Sequence, residues 1–163
     1  MGNLSNGDPK RELLRHTLAT LAYRGGKAIR NAPDSFAEFH ANESVRTPVQ
    51  ILAHIGDLMD WALSIAKGQP AWHNAQPLLW NEEVQRFFVS LTKFDDFLAS
   101  SEPLQAPPEK LLQAPIADAL THIGQIAILR RLANDPVKGE NYYKAEIVAG
   151  RVGADQAKPK LEF

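Results

Sequence analysis

Four stretches of this chain place their apolar residues three and four positions apart, the spacing of a helix with one buried face. In the first, about Pro9 to Ile29, Leu14, Leu18, Leu21, Ala22, Ala28 and Ile29 share a side. Asp8 is a natural N-cap before Pro9, and Asn31, Ala32 and Pro33 close the segment. The second opens with Thr47 as cap and Pro48 in the first turn, and should end near Lys67 and Gly68. The third, about Asn81 to Ala99, carries Val84, Phe87, Phe88, Leu91, Phe94 and Leu98 as a stripe. Pro103, Pro107 and Pro108 then mark a loop, Glu109 to Gln113 can form a short turn, and Pro115 is expected to open a fourth helix reaching about Ala133. Asn134, Asp135 and Pro136 stop it.

Few segments alternate with period two, so the expected class is all-α, an up-down four-helix bundle followed by an irregular C-terminal segment. Residues 137–163 hold at most a short helix around Tyr143 to Ala149 and are expected to lie over the bundle. Segments 31–46 and 68–80 exceed ordinary helix connections, and both carry aromatic residues able to roof a pocket. A length of 163 residues suits one folding unit spanning the chain.

Composition narrows the partners. Apolar residues at 44% and charged residues at 23% are ordinary globular usage, which excludes a disordered or fibrous class. Eighteen Lys and Arg against nineteen Asp and Glu leave no basic excess for a phosphate backbone, so nucleic acid is not an expected partner. No apolar run reaches the roughly 18 to 20 residues that span a bilayer, and MGNLSNGDPKRELL lacks the apolar centre of a signal peptide. Gly2, Ser5 and Asn6 match a myristoylation signal only in part, so lipidation is not expected. The expected location is cytoplasmic. With no cysteine, thiolate metal sites and a cysteine nucleophile are excluded, and any metal must be held by His, Asp and Glu.

A wheel of the second helix puts Ile51, Ile55, Leu58, Met59, Ala62, Ile65 and Ala66 on one arc and admits His54 into it, with Asp57 just outside the edge and Asp60 on the far side. On the fourth helix, apolar nearly all round and so expected to be central, Asp118, His122, Gln125 and Leu129 form one stripe. A carboxylate beside an apolar stripe is costly unless paired or bound to a cation. His54, Asp118 and His122 are therefore candidate ligands of a divalent metal, with open positions for water or substrate. The competing account is a hydrogen-bonded Asp118–His122 pair with His54 a satisfied core histidine. Gln125, one turn beyond His122, is placed to orient a ligand or a bound water.

The stretches TPVQILAHIGDLMDWALSIAKG (47–68) and ADALTHIGQIAILRRLA (117–133) resemble the second and fourth helices of the DinB-like superfamily of metal-binding four-helix bundles. In that family one histidine comes from the second helix and an H-x-x-x-H pair from a later one, often followed by Gly-Gln-Ile. His54 matches the first, His122 in HIGQI matches the last, and Asp118 stands where histidine is usual. Two histidines and a carboxylate favour zinc, nickel, iron or manganese over copper. The resemblance implies a homodimer and a metal-dependent transferase or isomerase using a low-molecular-weight thiol such as bacillithiol or mycothiol, with a small molecule as the other substrate. A metal-dependent hydrolase and a non-catalytic, stress-associated metal- or ligand-binding bundle are the alternatives.

Other residues draw weaker expectations. His16 opposes the apolar face of the first helix and should be solvated, and His40 lies in a loop. His73, beside Trp72, and Tyr142, in the tail with Tyr143, are candidates to line a pocket. Arg130 and Arg131 suit the negative end of a helix dipole. A Gly-rich phosphate loop, a G-x-S-x-G elbow and an H-E-x-x-H motif are all missing, so nucleotide binding, serine hydrolysis and zinc-protease chemistry have no support.

Overall fold

The computed structural model describes residues 7–163, and Gly2, Ser5 and Asn6 lie outside them. Its long helices are α1 (Pro9–Ile29), α2 (Pro48–Ala66), α3 (Trp80–Ala99) and α5 (Ala117–Leu132), the last preceded by the single turn α4 (Pro108–Leu111). Among the described residues no β-strand forms, only an isolated bridge between Glu140 and Glu162. No helix there is long and apolar enough to cross a membrane.

The starts follow the capping chemistry. Asp8 accepts from the Lys10 amide at 3.0 Å. Thr47 and Gln50 form a reciprocal box, Thr47 N donating to Gln50 Oε1 at 2.9 Å and Gln50 N to Thr47 Oγ1 at 3.5 Å. The ends use left-handed residues, with Asn31 at φ 57° after α1, Gly68 at φ 75° after α2 and Asn134 at φ 60° after α5. Arg130 does more than complement a dipole. Its buried guanidinium donates to the carbonyls of Ala28 and Arg30 at 3.2 and 2.7 Å, capping the end of α1 from α5.

Helix α1 lies between α3 and α5, and α2 closes the bundle opposite it. Directions follow from the end contacts. Arg11 of α1 reaches the carbonyls of Phe97, Leu98 and Ser100 at the end of α3, so these two are antiparallel. Arg86 meets Ala53 and Asp57, and Lys67 lies over the Phe97 ring, so α2 and α3 run parallel. Likewise Arg130 touches the end of α1 and Lys10 meets Glu109, so α1 and α5 are parallel.

The order is up, down, down, up, which corrects the expected up-down alternation while leaving the all-α class intact. Parallel neighbours require a connection running the length of a helix. Residues 67–79 can extend to about 43 Å, against about 28 Å for α2. They do run back along α2, where the Ala71 amide donates to Ser64 Oγ at 3.0 Å and the Ala75 amide to Asp57 Oδ2 at 3.1 Å.

One contiguous core joins all four long helices, with Phe87, Phe94, Leu18, Leu52 and Ile116 among its fully buried members. Helix α5 is less central than its all-round apolarity suggested. Ile128 and Leu132 are half exposed, on the flank of α5 turned away from α1 and α2. Pro115 does not open that helix. Helical structure begins at Pro108, and Pro115 sits inside a widened turn at Leu112–Ile116 that accommodates a ring unable to donate a hydrogen bond.

Residues 137–163 do pack on the bundle. Tyr23 Oη donates to Glu140 Oε1 at 2.6 Å, Lys27 Nζ donates to Glu140 and Glu162 at 2.7 and 2.8 Å, and Val152 enters the core. Burial, then the bond to Glu140, pushes the Tyr23 hydroxyl pKa well above its ordinary value. No helix forms over Tyr143 to Ala149. Two isolated turn bonds, Lys144 N to Asn141 O and Ala145 N to Tyr142 O, are all that so short a segment sustains.

Gly25 marks the closest approach of three helices. A methyl there would stand 2.5 Å from Phe87 Cζ and 3.0 Å from Ile123 Cδ1, whereas one at Gly124 meets nothing within 4 Å. Gly25→Ala should therefore destabilise by about 1–2 kcal/mol despite the better helix former. Gly124→Ala should stabilise by about 0.5–1 kcal/mol. Urea unfolding of the pair checks the contrast, and equal midpoints would refute the close approach.

Candidate metal centre

The antiparallel pair α2 and α5 brings the three candidate ligands together. The box at Thr47 fixes where α2 begins, and with it the turn that carries His54. Asp118 and His122 are one turn apart on α5. One ligand atom from each of the three residues lies within 4.8 Å of the other two, a cluster that can hold a metal ion. Asp118 Oδ2 is 3.8 Å from His54 Nε2, and its Oδ1 is 3.5 Å from His122 Nε2. The two imidazoles meet edge to face, with centroids 4.8 Å apart.

The separations are too long for direct bonding and come within reach of a shared ion, the Asp118–His122 one already at the right length and the others wider. Ligands held at about 2.0–2.2 Å in a tetrahedron stand about 3.3–3.6 Å from one another. The competing Asp118–His122 hydrogen bond does not form: His122 Nε2 stands 3.5 Å from Asp118 Oδ1, while its Nδ1 meets Gln125 Oε1 at 2.7 Å. An oxygen at that position makes Nδ1 a donor, so the neutral imidazole presents its Nε2 lone pair to Asp118. Gln125 thus has the orienting position expected of it. His54 has no hydrogen bond among the described residues and rests against the Trp72 edge, with centroids 5.7 Å apart.

Burial lowers the His54 pKa from its ordinary value, helped by the nearby His122 and Arg46 and opposed by Asp118. A histidine kept neutral is a ready ligand. The expectation of a buried Asp118 is corrected: its side chain is 49% exposed, against 19% for His54 and 13% for His122. The case for a cation therefore rests on three converging acceptor atoms, not on the cost of burying a carboxylate. The same exposure leaves one side of the cluster open to solvent.

The carboxylate that is buried is Asp57, which the helical wheel had put outside the core edge. Its side chain is 2% exposed because Arg86 of α3 donates to Oδ1 at 2.6 Å. Glu83, also fully buried, accepts from the Leu78 amide at 2.9 Å and lies 3.6 Å from Arg86. Periodicity cannot reveal such burial, since a partner from another helix is what permits it.

Of the Trp72–His73 pair, the tryptophan reaches the site. It packs on His54 and on Trp61, both at 5.7 Å, while His73 is exposed. Tyr142 packs on Tyr23 and under the Arg24 guanidinium at the α1 surface. His16 and His40 are exposed. Trp61 and Arg46 belong to no motif, and for Trp61 the sole sequence signal is an aromatic one helical turn from Leu58 on the ligand-bearing helix.

Comparison with known proteins gives no match to a family model, to a curated protein or to a solved structure.

Proposed function

We propose that the protein is a metal-dependent enzyme that transfers a low-molecular-weight thiol to an electrophile, with His54, Asp118 and His122 holding a divalent ion. The observation that carries this reading is the convergence of two imidazoles and a carboxylate around a solvent-open point, with the His122 lone pair turned inward by Gln125. The donor set suits zinc, nickel, iron or manganese. Bound there, such an ion would act as a Lewis acid that lowers the pKa of a thiol or of water.

The residues divide the remaining work. His54 and His122 are neutral ligands and Asp118 supplies one negative charge, which leaves a net positive centre for an incoming thiolate. Trp72 shields the outer edge of His54. The chain has no cysteine, so the sulfur must come from the co-substrate. In the transfer a sulfur–carbon bond forms, the leaving group departs with its electron pair, and the thiol proton passes to solvent. Hydrolysis by the same centre exchanges thiol for water.

The test is a panel of metal-loaded preparations given thiols with 1-chloro-2,4-dinitrobenzene, and separately a p-nitrophenyl ester. Metal-dependent thioether formation is the expected result. Ester cleavage alone would make the protein a hydrolase. Neither activity in a protein with stoichiometric metal would leave a non-catalytic binding bundle.

A further inference from the structure

Beside His54, between the start of α2 and residues 74–77, lies a cleft of about 300 Å³ lined by Arg46, Gln50, Asp57, Asn74 and Gln76 among others. That is the lower end of the range for small-molecule sites. Arg46 differs from the arginines that hold the fold together. Arg15 is paired with Asp95, Arg86 with Asp57 and Arg130 with Asp135, whereas exposed Arg46 has no carboxylate partner among the described residues.

Beside Arg46 the cleft offers side-chain amides and one acid. Gln50 commits its Oε1 to the Thr47 amide, which leaves its NH₂ free to donate. The side-chain amides of Asn74 and Gln76 have no protein partner among the described residues. Asp57, the one acid on the wall, is turned onto Arg86 at 2.6 Å, which it shares with Asp60 and Glu83, and onto the Ala75 amide at 3.1 Å. The groove on the other flank of the cluster, lined by Leu58, Trp61, Ala114, Ala117, Asp118 and Thr121 among others, contains no cation. The two approaches to the cluster therefore differ in charge, and only one of them attracts an anion.

We infer that the Arg46 cleft is a recognition site for a carboxylate-bearing small molecule, which pairs its carboxylate with Arg46 and directs its reactive end toward His54. Resting on the metal-centre reading, this makes the thiol co-substrate an acidic one, while the opposite groove receives an uncharged, more apolar electrophile. A guanidinium and a carboxylate form two parallel charge-assisted bonds, and flanking amides add direction.

The test compares mercaptosuccinate with uncharged monothioglycerol on cobalt-loaded protein, reading the thiolate-to-metal absorption band. In parallel, succinate is titrated into metal-free ¹⁵N-labelled protein and the amides of residues 74–76 are followed. Arg46→Gln should weaken mercaptosuccinate and succinate about tenfold while leaving monothioglycerol and cobalt content unchanged. Arg46→Lys should lose less. Arg131→Gln, an exposed arginine on the last turn of α5, is the control. Equal affinities for the two thiols, or succinate binding that survives Arg46→Gln, would overturn the assignment. If cobalt fails to bind but succinate still shifts residues 74–76 in an Arg46-dependent way, the cleft stands and the metal reading falls.

Discussion

Alanine at His54, Asp118 or His122 is expected to reduce bound zinc from roughly one equivalent per chain to near zero, because a three-ligand site loses most of its chelation with one donor gone. Asp118→Ala is the cleanest of the three. Its side chain is half exposed and makes no ion pair that the fold depends on, so metal should be lost while the unfolding midpoint of the metal-free protein stays unchanged. Gln125→Leu should act differently, weakening affinity about 10- to 100-fold by releasing the His122 tautomer while all three donors remain. His16→Ala should leave metal content unchanged.

Elemental analysis after growth or refolding with zinc, nickel, iron or manganese reads all five proteins. The depressed His54 pKa adds a pH signature. That imidazole stays neutral to lower pH than an ordinary histidine of about 6.5, so metal should persist at neutral pH and be displaced by protons on acidification. A wild-type protein that remains metal-free under every condition would sink the site and thiol transfer together.

The largest stability effect should come from outside the site. Arg86→Ala strands Asp57 and Glu83, whose side chains are 2% and 0% exposed, without their shared cation. Breaking a buried pair in this way costs about 3–5 kcal/mol. Glu83 Oε2 already lacks a hydrogen bond, so it has no second partner to fall back on. Urea denaturation gives the loss directly. Adding Asp57→Asn and Glu83→Gln to Arg86→Met should recover much of it, since the uncompensated charges are then gone. A loss below about 1 kcal/mol in the single variant would place the ion pairs among ordinary surface contacts. The damage should also reach His54, because Asp57 holds the Ala75 amide and with it the segment that carries Trp72.

Much of the architecture was legible in the chain because local chemistry fixes it. Asp8–Pro9 and Thr47–Pro48 are start signals that need no tertiary information, and α1 and α2 begin where capping put them, while the apolar stripe places the start of α3 within a residue. The candidate ligands were legible for a similar reason: the one-turn spacing of Asp118 and His122 is a property of one helix, and His54 stands out as the imidazole inside the apolar arc of another. What local pattern could not reveal depends on pairs of helices. The burial of Asp57 and Glu83 needs Arg86, the exposed flank of α5 is set by which of its faces meets α1 and α2, and the parallel run of α2 and α3 follows from a path taken by residues 67–79. Arg46 has no periodic signature at all, and its place beside His54 appears only once that connection is laid along α2.

The widened turn at Leu112–Ile116 makes the centre sensitive to chain length as well as to residue type. Each helical residue advances the azimuth by about 100°. Upstream of the turn, Leu111 is anchored in the core, so removing one residue between it and Ala117 would rotate α5 about its own axis by roughly that angle unless the bundle resisted. Asp118 and His122 would then leave the side that faces α2, and His54 would stand alone. A chain carrying all three ligands, but one residue shorter ahead of them, would have the vocabulary of this centre without its grammar.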